Sequence, residues 1–343
     1  MYATIRRTPD DLRAILARGP DDIARGAAVL AGEGVRVFCV GTGTSYHAAL
    51  NAAYQLQRAG CDARGWASFD FATYTPTLRE GDVVVLFAHT GTTGYSAASL
   101  AAGNAAGARS IAITGIDAPV VGATLTLRTG PLEKSAAYTA SHTGAMFVTA
   151  QLAAAVSRRR GGGGATDTEF AAMPDLIDEA VGREAAVAEF ARYALPRRTF
   201  CAGAGPDGVL ALETALKARE TAYTSIDALP TEQFIHGPMV TINPGDAAIL
   251  VATDEPGRAR TRELLTILDG IGLRTWVIGG LPDVPDSATV FALPELHPML
   301  APVLAVVPIQ LFACHAAQLK GTNADTFRGD VPEYHKAWEA LRF

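Results

Sequence analysis

A tandem pair of doubly wound α/β halves, each built on a parallel sheet, is the fold class this sequence predicts, and three observations predict it. The first is an internal repeat. FCVGTG at 38–43 returns as FCAGAG at 200–205, and Asp82-Val83-Val84-Val85-Leu86 is answered by Asp246-Ala247-Ala248-Ile249-Leu250. Gly107-Ala108-Arg109-Ser110-Ile111 is echoed by Gly272-Leu273-Arg274-Thr275-Trp276, and Ala123-Thr124-Leu125 by Ala288-Thr289-Val290. The offset stays between about 162 and 165 residues over four landmarks in one order, which chance matches of apolar words would not maintain. The second observation is that each half alternates short β-branched runs with longer Ala/Leu-rich segments at helical spacing, the pattern of parallel strands joined by helical crossovers. The third is RRRGGGGATDTEF at 158–170, where glycine flexibility and charge oppose packing and mark a linker between the halves.

The elements follow in order. The first 30 residues read as one or two amphipathic helices. Strands are expected near 36–40, 82–87, 109–113 and 123–127, with helices near 45–58, 94–105 and 139–157. A helix near 170–192 follows the linker, and Ala211 to Tyr223 is a strong helix former in the second half. The predicted organisation is a helical segment at 1–34, a first sheet domain at 35–157, the linker at 158–170, a second sheet domain at 171–330 and a tail at 331–343.

Composition limits the function. With 343 residues, 49% of them hydrophobic and 19% charged, the chain can bury one large core or two ordinary ones. The net charge is −6 and the longest basic run is Arg158-Arg159-Arg160, which does not suit a nucleic-acid backbone. The N-terminus carries acids and lacks an apolar signal core, and no run of about 18 apolar residues is evident, so a cytoplasmic protein without membrane insertion is expected. Cys39, Cys61, Cys201 and Cys314 stand singly, without metal spacing, and read as buried thiols.

In doubly wound sheets, ligands bind where the carboxyl ends of strands run into helix N-termini. The first such turn is VGTGTSYHAAL at 40–50. Gly41 and Gly43 permit close backbone approach, and Thr44 and Ser45 place hydroxyls at a helix start that favours anions. It is neither a Walker loop nor a dinucleotide GxGxxG. A second turn, FAHTGTTGYS at 87–96, repeats the idea with Thr90, Gly91, Thr92 and Thr93. These hydroxyls either cap helices or converge on one phosphate; two such loops, with glycines inside both, favour the phosphate. The corresponding loops of the second half, AGAGPDGV and ATDEPGRA, replace hydroxyls with acids, so only the first half is expected to hold a phosphate.

The second half contributes acid-base candidates. Glu213, Lys217 and Glu220 lie on adjoining faces of one helix, and the Glu213/Lys217 pair alone reads equally as a solvated i,i+4 ion pair. Glu220 stands at the helix end, before ALPTEQFIHGP at 228–238, where His236 is locked into a rigid Gly-Pro corner. A carboxylate and an imidazole are the usual partners for moving protons at a carbon beside a carbonyl.

The pattern ALExALKxxExxY, with HGP sixteen residues after its second glutamate, resembles the double sugar-isomerase (SIS) domain family, which includes the isomerase half of glucosamine-6-phosphate synthase and the fructosamine-6-phosphate deglycases. The likeness runs from about residue 25 to 330 and implies flavodoxin-like sheets. It implies a phosphate held by Thr44, Ser45, His89, Thr90 and Thr93, and a base at Glu220 that shuttles a proton between C1 and C2. It also implies a ring-opening histidine at His236, contributed by the neighbouring subunit of a homodimer, and Lys217 beside the site. The segment EKSAAYTASHT at 133–143 resembles the loop lining the sugar, which makes Ala137 and Thr139 candidate contacts together with Gly43, Glu232 and Lys336. No metal or other cofactor is required, because two protonating groups and a phosphate anchor suffice.

Three features depart from the family pattern. Nothing before residue 36 supplies a glutaminase. The register of the imine-forming lysine falls on Pro332, with Lys336 the nearest lysine. The usual SxSGxT loop reads AHTGTT, so that His89 either strengthens the anion site when protonated or marks a different substrate. The expected function is a sugar-phosphate isomerase or deglycase acting on a 6-phosphorylated ketose, amino sugar or ketosamine. The alternatives are an isomerase subunit using ammonia from a separate partner and a non-catalytic sugar-phosphate sensor.

Overall fold

Apolar runs bounded by glycine and polar turns become parallel strands, and the Ala-rich stretches between them become the crossovers. The structure, a computed structural model, describes residues 1–91, 94–120 and 122–340. Two helices, α1 (Tyr2–Ala17) and α2 (Asp21–Leu30), lead into β1 (Arg36–Gly41), α3 (Thr44–Arg58), β2 (Asp62–Ala67), α4 (Ser68–Thr73), β3 (Val83–Phe87), α5 (Gly94–Ala105), β4 (Arg109–Thr114), β5 (Leu125–Arg128) and α6 (Ala140–Arg159). After irregular residues 160–166 come α7 (Asp167–Gly182), α8 (Glu184–Ala194), β6 (Thr199–Gly203), α9 (Pro206–Ala222), β7 (Asp227–Pro230) and α10 (Thr231–Ile235). A single 3-10 turn at Pro238–Thr241 precedes β8 (Ala247–Ala252), α11 (Glu255–Ile271), β9 (Arg274–Gly279), β10 (Ala288–Phe291), α12 (Ala301–Lys320) and α13 (Pro332–Trp338).

The fold is α/β, with two five-stranded sheets, both parallel throughout. Their orders are β2-β1-β3-β4-β5 and β10-β9-β8-β6-β7, the same sequence of neighbours when the second is read backwards. The chain divides into two compact units. One holds the first sheet, with Arg7–Lys134, Tyr138–Asp175 and residues from Arg328 onward; the other holds the second sheet, with Met1–Arg6, Ser135–Ala137 and Leu176–Phe327.

Both faces of each sheet are covered, which is why β3 (VVVLF) and β8 (AAILVA) are buried along their whole length. Phe38, Val40, Phe71, Val84, Leu86 and Leu100 form one core cluster; Phe200, Phe234, Leu250, Leu264, Leu268 and Val277 belong to another. Among the described residues, α12 is the one helix long and apolar enough to cross a membrane, and 83% of its apolar window is buried within the fold. It is the helix against which α9 packs.

In each sheet the direction of winding reverses between two adjacent strands, β1 and β3 in the first and β6 and β8 in the second. The turns after these strands therefore open a crevice at the carboxyl edge, the place where open α/β sheets accept ligands.

Candidate active site

At the first switch point, Gly43 caps α3 with φ 57° and ψ −129°, a conformation open to glycine but not to a side chain of ordinary handedness. It turns the chain so that Thr44, buried, and Ser45, half-buried, stand in the first turn of α3. The neighbouring turn brings in Ala88, His89 and Thr90, and the Thr114 hydroxyl holds it by donating to the Ala88 carbonyl at 2.6 Å. Thr44, Ser45, Ala88, His89 and Ser141 line one small cavity, whereas Thr90 is exposed and is not part of its lining. Thr93 lies outside the described residues.

His89 differs from the protonated anchor considered from the sequence. It is 8% exposed, and its Nε2 accepts a hydrogen bond from the Glu133 backbone N–H at 3.1 Å. Burial lowers its pKa below the ordinary 6.5, with Glu133 pulling upward and Arg7 downward. An accepting Nε2 requires the proton on Nδ1, so His89 is a neutral imidazole whose Nδ1–H is buried without an acceptor among the described residues. It can donate to a ligand oxygen, but it brings no charge.

Glu133 explains the local structure of the segment thought to line a sugar. Its carboxylate accepts from the Thr139 N–H at 3.1 Å, the Thr139 hydroxyl at 3.2 Å and the Ser141 N–H at 2.7 Å, satisfying the start of α6. Ala137 and Thr139 are fully buried. Thr139 thus belongs to the capping of α6, because its amide and its hydroxyl both serve Glu133.

The second switch point has the same backbone and a different occupant. Gly205 caps α9 with φ 56° and ψ −125°, nearly the angles of Gly43. Where the first half has Ser45, the second has Asp207, whose carboxylate accepts from the Thr253 N–H at 2.7 Å, the Asp254 N–H at 2.9 Å and the Thr253 hydroxyl. Burial pushes the Asp207 pKa up to about 6 against these hydrogen bonds, which pull it down. The acid does more than repel phosphate: it occupies the crevice and uses donors that an anion would need.

On α9, Glu213, Lys217 and Glu220 fall at i, i+4 and i+7 and share one face. The reading of Glu213 and Lys217 as a solvated pair is overturned, since both are 0% exposed; α12 covers this part of α9. Lys217 Nζ lies 2.6 Å from Glu220 Oε2 and 3.4 Å from Glu213 Oε1. The Glu220 side chain is 18% exposed, so the buried ammonium holds a carboxylate that still reaches the surface.

His236 closes α10, with its side chain 70% exposed and Nε2 2.7 Å from Glu232 Oε1. Glu232, expected from the sequence as a candidate substrate contact, is held in turn by Arg260 Nε at 2.7 Å. Arg260 was missed: it lies 28 residues from Glu232, on α11, and no local pattern signals the pairing. Lys336 is exposed on α13. The four cysteines are free and buried, and no group of three His, Cys, Asp or Glu residues suited to a metal exists among the described residues.

Comparison with known proteins places this geometry. The family model described as SIS domain matches residues 30–155, the half built on the first sheet. Glutamine–fructose-6-phosphate aminotransferase (isomerizing) of Bacillus licheniformis is 30% identical over 319 residues, covering 89% of this chain and 52% of the relative. The chain thus spans about half the length of the curated relatives it matches. Among solved structures, the C-terminal domain of glucosamine-fructose-6-phosphate aminotransferase from Francisella tularensis superposes with TM-score 0.82 at 21% identity, covering 94% of this chain and 96% of that one. Tagatose-6-phosphate ketose/aldose isomerase from Escherichia coli gives TM-score 0.78 at 17% identity, covering 95% of each chain. The fold is of the SIS type, residues 30–155 match the SIS domain model, and over 89% of its length the chain is similar to the isomerizing aminotransferases.

Proposed function

We propose that this protein is a sugar-phosphate isomerase or deglycase that acts on a 6-phosphorylated ketose, amino sugar or ketosamine by moving a proton between C1 and C2. The observation that carries the reading is Glu220, a partly exposed carboxylate fixed 2.6 Å from the buried Lys217 ammonium. A sugar-phosphate sensor would need the anion cradle but has no use for a buried cation that aims a carboxylate outward.

The chemistry follows from the groups. A cyclic sugar has no acidic C–H until the ring opens, so an imidazole at His236 transfers a proton between the ring oxygen and the anomeric hydroxyl. The Glu220 carboxylate then takes the proton beside the carbonyl and returns it one carbon away through an enediol-like intermediate. Thr44, Ser45, Thr90 and Thr93, with the neutral His89 donor, are the groups assigned to the phosphate, whose binding energy can be spent on orienting the substrate. We assign the working unit as a homodimer in which His236 serves the neighbouring subunit. The similarity to isomerizing aminotransferases favours, as a second reading, an isomerase that takes ammonia from a separate protein.

Incubation with fructose 6-phosphate, glucosamine 6-phosphate or a fructosamine 6-phosphate in deuterated water should place deuterium at C1 or C2. Binding of all three without exchange would replace the enzyme by a sensor. The variant Glu220→Gln should keep phosphate-dependent binding and lose exchange by about 100-fold or more; retained exchange removes Glu220 as the base.

A further inference from the structure

The segment around His236 is built to present one particular nitrogen. α10 is a single turn, so Glu232 and His236 fall at i and i+4, and the His236 N–H donates to the Glu232 carbonyl at 3.2 Å. The next residue, Gly237, has φ 125°, which a residue with a side chain rarely adopts, and Pro238 then starts the 3-10 turn. The backbone on both sides of the imidazole is therefore set before any side chain acts.

Arg260, from α11, holds the Glu232 carboxylate through two nitrogens, Nε to Oε2 at 2.7 Å and Nη2 to Oε1 at 3.3 Å. Its Nη1 is in turn occupied by Glu263. Arg260 is the larger influence and His236 the second in keeping the Glu232 pKa below the ordinary carboxylate value. An ionised carboxylate only accepts hydrogen bonds. The 2.7 Å contact from Glu232 Oε1 to His236 Nε2 is then a donation by Nε2–H, which leaves the Nδ1 lone pair as the basic site of the neutral ring.

We infer that Glu232, clamped by Arg260, is a positioning residue that fixes His236 in the Nε2–H tautomer, so that Nδ1 is the atom that exchanges a proton with the sugar ring. This rests on the role given to His236 above. It also reassigns Glu232 from candidate substrate contact to partner of the acid-base group: in the proton transfer, Nδ1 gains a proton from the anomeric hydroxyl and gives it to the ring oxygen. Glu232 stays ionised and stabilises the transient imidazolium, whose charge faces Glu232, with Arg260 and Glu263 beyond it.

Nitrogen-15 NMR of histidine-labelled protein tests this directly. The neutral His236 ring should show a protonated Nε2 and a bare Nδ1. Glu232→Ala should randomise the tautomer. Glu232→Gln, whose amide oxygen can still accept from Nε2–H, should keep it. In the exchange assay, Glu232→Ala should reduce kcat about tenfold or more and leave KM within about twofold. An unchanged tautomer in Glu232→Ala overturns the inference, as does a raised KM at constant kcat, the mark of a substrate contact. If the wild-type protein turns over no sugar phosphate, the proposed function falls, and the tautomer of His236 still decides the clamp.

Discussion

Lys217 is the residue whose surroundings constrain the site most. A buried ammonium between two carboxylates costs desolvation, and it persists only because each charge has an opposite neighbour: Glu220 at 2.6 Å and Glu213 at 3.4 Å. Removing the cation leaves two carboxylates of like sign on one buried face of α9. Lys217→Met should destabilise the fold by about 3–5 kcal/mol, read as a lower midpoint in urea. A midpoint within error of the wild type would show that solvent or rearrangement neutralises the carboxylates. The same variant should lose exchange, since Glu220 loses the partner that fixes its carboxylate.

At the scale of elements, the two strand-turn-helix units β1-α3 and β6-α9 carry nearly identical glycine caps and opposite contents. The second is closed by its own carboxylate, because Asp207 bonds the Thr253 and Asp254 amides across the switch point. The first has serine at that position and a neutral histidine donor in the neighbouring turn. One substitution should therefore convert the open cradle into the closed one. Ser45→Asp should weaken binding of sugar phosphates by at least about tenfold, which is 1.4 kcal/mol, in calorimetry, and leave the thermal transition near that of the wild type. Undiminished phosphate affinity in this variant would place the phosphate elsewhere.

At the scale of the whole molecule, the proposal that a neighbouring subunit completes the site predicts complementation. Glu220→Gln and His236→Gln homodimers should each be inactive in exchange. After mixing and subunit exchange, half the dimers are mixed and each carries one intact site, so about a quarter of wild-type activity should return. No recovery, with mixed dimers demonstrated by mass spectrometry, assigns both residues to one subunit. Much of the architecture behind these tests was legible in the chain. The repeat, the apolar strands and the two hydroxyl-bearing turns follow from periodicity and glycine placement, which are local properties. The strand β2, an edge with the mixed sequence DARGWA, was missed because a strand half open to solvent lacks the continuous apolar run of its buried neighbours. Helix α9 begins at Pro206, five residues before the expected Ala211, since proline is well suited to a first helical turn.

By itself, then, the sequence determined the alternation of strand and helix, the duplicated strand-turn-helix units and the spacing of Glu220 from His236, because each depends on residues close together along the chain. Only the tertiary structure decided the charge of His89, the burial of Lys217, the closing of the second crevice by Asp207 and the Arg260 clamp on Glu232. Each of these depends on which groups from distant elements exclude water around a titratable atom, and burial and hydrogen-bond partners at that range leave no local pattern to read.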